Sequence, residues 1–340
     1  GPEAGIFTAI VAGFVISALG GSSVQIAGPT AAFATIVAGI VAKDGLDGLV
    51  ISTILAGIFL ILMGLCHFGS LIKFIPYTIT TGFTSGIAVT IVIGQLKDFC
   101  GITYPDGVKP IETMEKLKAF AENFSTISPD ALIVGGVSLA ILIVSPLIFK
   151  KIPGSLIAVI VGILMVQFLP LHVSTIGNLY TISNALPTLH LPVFDMKLIQ
   201  SAIPNAFTIA VLAAIESLLS CVVADGMINS KHRSDTELIA QGAGNIASAL
   251  FGGIPATGAI ARTAANIKNG GRTPVAGMVH SITLVIVLVV LMPKNQPAEA
   301  ESQLFPELEI GKGVHVRSAR RSGCRPVAPP PAPATSSGRR

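Results

Sequence analysis

Long apolar runs broken by almost no charge decide most of what this chain can fold into. Residues 79–96 and 131–149 contain no charged side chain, and residues 203–224 contain only Glu216. A helix needs about 20 apolar residues to cross the ~30 Å hydrocarbon core of a bilayer, and these runs approach or meet that length. Hydrophobic residues make up 51% of the chain and charged ones 12%, a balance that excludes a soluble globule. The 35 Gly then read as close contact points between helices in lipid rather than as loop residues.

The pattern predicts an all-α polytopic membrane protein with spans near 6–19, 46–65, 79–96, 131–149, 156–169, 203–224, 238–251 and 274–292. Two further segments, 28–42 and 258–267, are too short and too rich in small residues to be ordinary spans. Gly28-Pro29-Thr30 opens the first, and Pro255-Ala256-Thr257-Gly258 leads into the second. If each counts as a crossing, the loops alternate between two sides. One side carries Lys73, Lys150, Lys151, Lys231, Arg233, Lys268 and Arg272 with few acids, and on the other Asp and Glu outnumber Lys. The positive-inside tendency makes the first side cytoplasmic. In the long outer loop 97–129, the amphipathic stretch 111–124 is expected as a short surface helix packed on the protein. Tyr180-Thr181-Ile182-Ser183 reads as an extended outer connector.

A helix that begins partway through the membrane leaves its first N–H groups without partners, and lipid cannot supply any. Pro29 and the Gly-containing approach to residue 258 suit abrupt starts after short extended strands such as Ser23-Val24-Gln25-Ile26. Each start carries about +0.5 of an elementary charge, so two that converge make an anion site, as in inverted-repeat transporters. Two kinked structural helices would give the same pattern. Arg262 lies inside the second short segment, where an unpaired charge is costly, so it calls for an anion, for capped carbonyls or for a protein carboxylate. Asn266 shares its face one turn on, and Thr263 is adjacent. Glu216 is the one acid well inside a long run, and Thr208, Ala213 and Ser220 are expected along its face. Three roles fit it: a proton carrier coupled to anion entry, an ion-pair partner of Arg262, or a hydrogen-bonding group joining two helices. Asp225, at the end of that span, is expected to be solvated.

Little other chemistry is present. Cys66, Cys100, Cys221 and Cys324 lack metal or redox spacing, as do His67, His172, His190, His232 and His280, and no phosphate loop, Ser-His-Asp order or zinc motif occurs. No enzymatic activity, cofactor, metal or nucleic-acid partner is expected. Residues 1–293 carry 14 Lys and Arg against 14 Asp and Glu, so the net charge of +4 arises in residues 294–340, with 8 basic and 4 acidic residues. That stretch also holds 7 of the 22 Pro and has no apolar periodicity. It is expected to be a disordered or out-of-frame tail, with Arg317, Arg320 and Arg321 in a solvated linker.

With these residues in view, residues 1–293 resemble the SulP sulfate-permease family of anion transporters and exchangers. The resemblance is carried by Ala27-Gly28-Pro29-Thr30-Ala31-Ala32, by Phe74-Ile75-Pro76 followed by Thr81-Gly82-Phe83-Thr84-Ser85-Gly86-Ile87, and by Ala214-Ile215-Glu216-Ser217-Leu218-Leu219. Gln241-Gly242-Ala243-Gly244-Asn245 and Ala261-Arg262-Thr263-Ala264-Ala265-Asn266 complete it. The resemblance implies a seven-plus-seven inverted repeat, present here in part, split into a mobile core and a scaffold gate. By the family's count the chain holds spans two to eleven, without the first span, the last gate spans or the STAS domain. It further implies an anion held between Thr30-Ala31 and Ala259, Ile260, Ala261 and Arg262, with Glu216 and Ser220 at the coupling position.

The leading expectation is therefore a multi-pass plasma-membrane secondary transporter for a small oxyanion or carboxylate. It would be coupled to a proton or sodium, or exchanging, and would act as a homodimer. An uncoupled anion channel would give currents that ignore a proton gradient. A nucleobase permease fits less well, because Arg262 and the lack of aromatic residues beside the half-helices suit a compact anion. An inactive fragment is the non-transport alternative.

Overall fold

The structure, a computed structural model, describes residues 2–70, 77–105, 107–108, 110–148, 152, 154–175, 186–189, 191–192 and 195–291. The loop Phe74-Ile75-Pro76, the connector Tyr180-Thr181-Ile182-Ser183 and the tail 294–340 lie outside them. Helix α1 (Pro2–Leu19) stops at Gly20-Gly21, and an extended stretch then leads to strand β1 (Ala27–Gly28). A 3-10 turn (Ala31–Phe33) opens helix α2 (Ala34–Leu65). Gly45, at φ 71 and ψ −169, interrupts α2, as a residue without Cβ can. The expected short segment and the span after it are thus two helices joined end to end at one glycine.

Helices α3 (Tyr77–Cys100), α4 (Thr113–Glu122), α5 (Pro129–Ile148) and α6 (Gly154–Phe168) follow. The amphipathic stretch 111–124 does form the short helix α4, started by a capping box between Glu112 and Glu115 and packed against α3. Helix α7 (Met196–Ile228) and helix α8 (Ser234–Leu250) lead to strand β2 (Thr257–Gly258), the short helix α9 (Ile260–Lys268) and helix α10 (Val275–Leu291). Among the described residues, four helical stretches are long and apolar enough to cross a membrane unaided: 2–19, 31–65, 129–148 and 196–228.

The order helix, strand, short helix occurs twice, as α1–β1–start of α2 and as α8–β2–α9. The two copies meet head to tail, because β1 and β2 pair antiparallel with Ala27 opposite Gly258 and Gly28 opposite Thr257. The ladder begins at residue 27, whereas the sequence suggested 23–26. Residues 23–26 pair with no described strand and bond instead to α9 and the residue before it: Asn266 Nδ2 donates to Val24 O at 2.9 Å, and Ala259 N donates to Ile26 O at 3.0 Å.

Small residues set the packing. Phe33, Ile40, Leu49, Ala56 and Leu60 from the first half bury against Ala206, Ile209, Ala210 and Ala213 of α7 and Leu238 of α8. Where α2 crosses α8, a Cβ on Gly57 would lie 2.7 Å from Gly242 O, so the two backbones touch. Contacts at each end agree with the alternation of the loops. At one end His67 Nδ1 meets Asp235 Oδ2 at 2.9 Å, and Arg233 N donates to Gly21 O at 3.1 Å. At the other, Asn205 Nδ2 donates to Asp44 Oδ2 at 3.5 Å.

Two expectations are corrected. Thr208 is exposed and bonds Pro204 O of its own helix, because eight residues from Glu216 carry it off the buried face. Asp225 is not simply solvated. Its carboxylate accepts from Ser230 Oγ and from the backbone N–H of His232 and meets His232 Nδ1 at 2.7 Å, closing the turn between α7 and α8.

Candidate functional site

Both short helices begin beside the strand pair, and neither start is capped by a side chain. Thr30 precedes the 3-10 turn in extended conformation (φ −124, ψ 156), and Ala259 precedes α9 likewise (φ −88, ψ 108). Caps are commonly Ser, Thr, Asp or Asn, whose oxygens take the orphan N–H groups of the first turn. Ala259 has no such oxygen, and the Thr30 hydroxyl is turned elsewhere: it donates to Glu216 Oε2 at 3.0 Å. Two helix starts with unfilled acceptor positions therefore lie on adjoining strands.

Arg262 joins the halves. Its Nη2 donates to Pro29 O, and the guanidinium occupies the space beside Gly28, where a Cβ would lie 2.6 Å from Nη1. Of the alternatives the sequence leaves open for Arg262, carbonyl capping is thus realised at one nitrogen, while a guanidinium carries five donors. No described ion pair joins it to Glu216. Glu216 is 6% exposed and links α7 to the first half-helix through Thr30. Ala31 and Ala261 are exposed, Thr30, Ile260 and Arg262 partly buried, and Ala259 buried, so the two alanines are the exposed part of the paired starts. Ser220, fully buried, donates to Thr263 Oγ1 at 3.3 Å, and Thr263 is buried in α9 where Ala261 is exposed.

Along its buried face, α7 presents Ala213, Glu216, Ser217, Ser220, Cys221 and Ala224 at helical spacing. Ser217 Oγ accepts from Gly258 N at 3.0 Å and meets Thr257 Oγ1 at 2.8 Å. Thr263 Oγ1 accepts from Ile26 N at 3.0 Å, and Gln25 Nε2 reaches Ser217 O at 3.4 Å. The sequence pointed to Arg262, Glu216 and Thr30 but missed Ser217 and Gln25. The available signal was the 3–4 spacing of Ala213, Glu216, Ser217 and Ser220 along α7, which small residues share with ordinary helix packing in lipid.

Sequence reasoning also missed Glu237. It is fully buried in α8, where its Oε2 accepts from Gly21 N at 2.8 Å and Ser22 N at 3.2 Å. It lies just outside the apolar run read as span 238–251, so the sequence alone gave it no burial. Among the described residues no three His, Cys, Asp or Glu side chains gather as a metal site.

Comparison with known proteins shows what the chain is similar to. Residues 1–296 match the profile described as the sulfate permease family. The chain is 42% identical over 294 residues to YvdB of Bacillus subtilis (strain 168), which carries a sulfate-transporter name, covering 86% of this chain and 55% of that one. It is 33% identical to the bicarbonate transporter BicA of Synechocystis sp., covering 85% of this chain and 52% of that one. The solved transmembrane domain of a cyanobacterial BicA superposes with a TM-score of 0.74 at 32% identity, over 86% of this chain and 76% of that domain. SLC26A9 superposes with a TM-score of 0.70 at 21% identity, over 85% of this chain and 49% of that one, a likeness of fold. The chain spans about half the length of the curated relatives it matches.

Proposed function

Given that the chain belongs to the sulfate permease family, a family of multi-pass membrane transporters rather than enzymes, we propose that it is a secondary active transporter of a small anion. The observation that carries this reading is the pair of helix starts without side-chain caps, set on one antiparallel strand pair and bridged by Arg262. An anion resting on Thr30-Ala31 and on Ala259, Ile260, Ala261 and Arg262 takes the place of the missing caps. It meets two partial positive charges and one full one.

Backbone N–H groups and one guanidinium accept any compact oxyanion or carboxylate. The named relatives make sulfate and bicarbonate the first candidates, with C4-dicarboxylates next. Glu216 supplies the coupling. As a carboxylate beside the site it repels the incoming anion; a proton on it, or a sodium ion held with Ser220, removes that repulsion, so the two ligands bind together. Transport then follows from movement of the strand-bearing core, which exposes the cleft to alternate sides of the membrane. We place the protein in the plasma membrane as a homodimer, with residues 1–293 as the transporting part.

Uptake of labelled sulfate, bicarbonate and a C4-dicarboxylate into proteoliposomes, with and without an imposed pH or sodium gradient, tests this. One of these anions should accumulate faster with the gradient, and Glu216→Gln should bind it while losing the gradient dependence. Gradient-independent currents would point to a channel instead, and unchanged coupling in Glu216→Gln would remove that residue's role.

A further inference from the structure

Two strands of two residues each make a sheet that is nearly all edge, and an open edge buried in apolar surroundings must be satisfied by something. Ser217 of α7 takes Gly258 N of the strand itself, and the backbone leading into both strands is met by side chains that come mostly from one helix. Asn245, Gln241 and Glu237 lie on α8 one turn apart, with Ser248 almost a turn beyond, and all are fully buried. Asn245 acts as a third strand for the segment entering β2: its Oδ1 accepts from Ala256 N at 2.8 Å, and its Nδ2 donates to Ala256 O at 2.9 Å. Ser248 Oγ donates to Ile254 O at 2.8 Å. At the other end of the row, Glu237 takes Gly21 N and Ser22 N, the segment entering β1. Gln241 joins the ends: its Nε2 donates to Glu237 Oε1 at 2.9 Å, and its O accepts from Asn245 Nδ2 at 2.8 Å.

One helix face thus grips the backbone leading into both strands. Helix α1 answers it: Thr8 Oγ1 accepts from Ile254 N at 2.7 Å, so the first helix of each repeat bonds the segment that leads into the strand of the other. We infer that Glu237, Gln241, Asn245 and Ser248 are positioning residues that fix the spacing of the two half-helix starts, and so the affinity for the anion, without contacting it. This rests on the reading of the helix starts as an anion site. It also gives a role to the last residue of Gln241-Gly242-Ala243-Gly244-Asn245, which anion contact leaves unexplained.

The chemistry distinguishes variants that differ little in size. Asn245→Asp keeps the acceptor for Ala256 N but sets a carboxylate against Ala256 O. Glu237→Ala removes both bonds to residues 21 and 22. Glu237→Gln retains them, and its new amide meets Gln241 once the Gln241 side chain turns over.

The test uses the purified chain in detergent, with apparent dissociation constants from thermal stabilisation by sulfate and by bicarbonate and with hydrogen–deuterium exchange of the anion-free protein. Asn245→Asp should weaken anion binding about tenfold and speed exchange around residues 254–258, and Glu237→Ala should do so around 21–28. Glu237→Gln should recover most of both losses. If Asn245→Asp does not fold, Ser248→Ala, which removes the hydroxyl's contacts with Ile254 O and Thr8 Oγ1, should still speed exchange at 254–258 and weaken binding about threefold. Wild-type affinity and exchange in folded Asn245→Asp and Glu237→Ala, or a Glu237→Gln as impaired as Glu237→Ala, would overturn the inference. A wild-type chain that no anion stabilises would remove the anion site and the affinity claim with it, while the exchange data still decide whether the row holds the strands.

Discussion

Gly28 shows how much one missing Cβ can decide. Its φ of 156° lies where side chains are rarely found, and the space beside it belongs to the Arg262 guanidinium. Gly28→Ala should therefore act twice, through strain and by pushing Arg262 from Pro29. We expect a loss of about 2–3 kcal/mol in unfolding experiments together with a marked weakening of anion binding. Gly270, at φ 91° with open space around it, is the control: Gly270→Ala should cost about 1 kcal/mol and leave anion binding unchanged. Equal effects of the two substitutions on binding would sink the account of Gly28. Arg262 and Glu216 were legible in the sequence because a charge inside an apolar run needs a reason. Ser217 and Gln25 were not, because a neutral polar residue there gains its meaning from a backbone group far away in the chain.

Among the helices, α2 was the most legible: Gly28-Pro29, the small residues after it and the apolar run from residue 46 gave a short helix and a span, and Gly45 is the joint between them. The strands were placed a few residues early, since the register of a pair depends on the partner as much as on the strand. Glu237 shows the same limit, because only the fold of residues 20–22 onto α8 turns a first-turn acid into a buried one. The contact of α2 with α8 carries its own prediction. With Gly57 and Gly242 backbone to backbone, Gly57→Val must force the helices apart, and it should destabilise the protein by about 3 kcal/mol in unfolding experiments in detergent. Gly39→Val, on the same helix with nothing near its missing Cβ, should cost under about 1 kcal/mol. A small loss at Gly57 would mean that the two helices do not pack so closely.

For the whole molecule, the loops gave an orientation before any contact was known, and cysteine chemistry can check it. Cys66 is exposed at the end of α2, Cys100 is partly exposed at the end of α3, and Cys221 is buried. In cells expressing a Cys324→Ser chain, a membrane-impermeant maleimide added outside should label Cys100, and Cys66 should react only after permeabilisation. The reverse pattern would invert the orientation, and labelling of both from one side would remove the crossing between them. The inverted repeat was legible at this scale through family motifs rather than through internal similarity, since Gly28-Pro29-Thr30-Ala31 and Pro255-Ala256-Thr257-Gly258 share little beyond small residues.

The pairing of Ala27 with Gly258 also bears on how such a chain is made. Synthesis delivers the first member of the pair long before the second, so a newly inserted N-terminal portion holds polar backbone at membrane depth with its proper mate still on the ribosome. Until residues 257 and 258 emerge, that portion needs a temporary companion, such as water, the insertion machinery or a chaperone. Halting translation between the two strands should therefore yield a product that proteases cut near Gly28 and that gains resistance once the later strand is released.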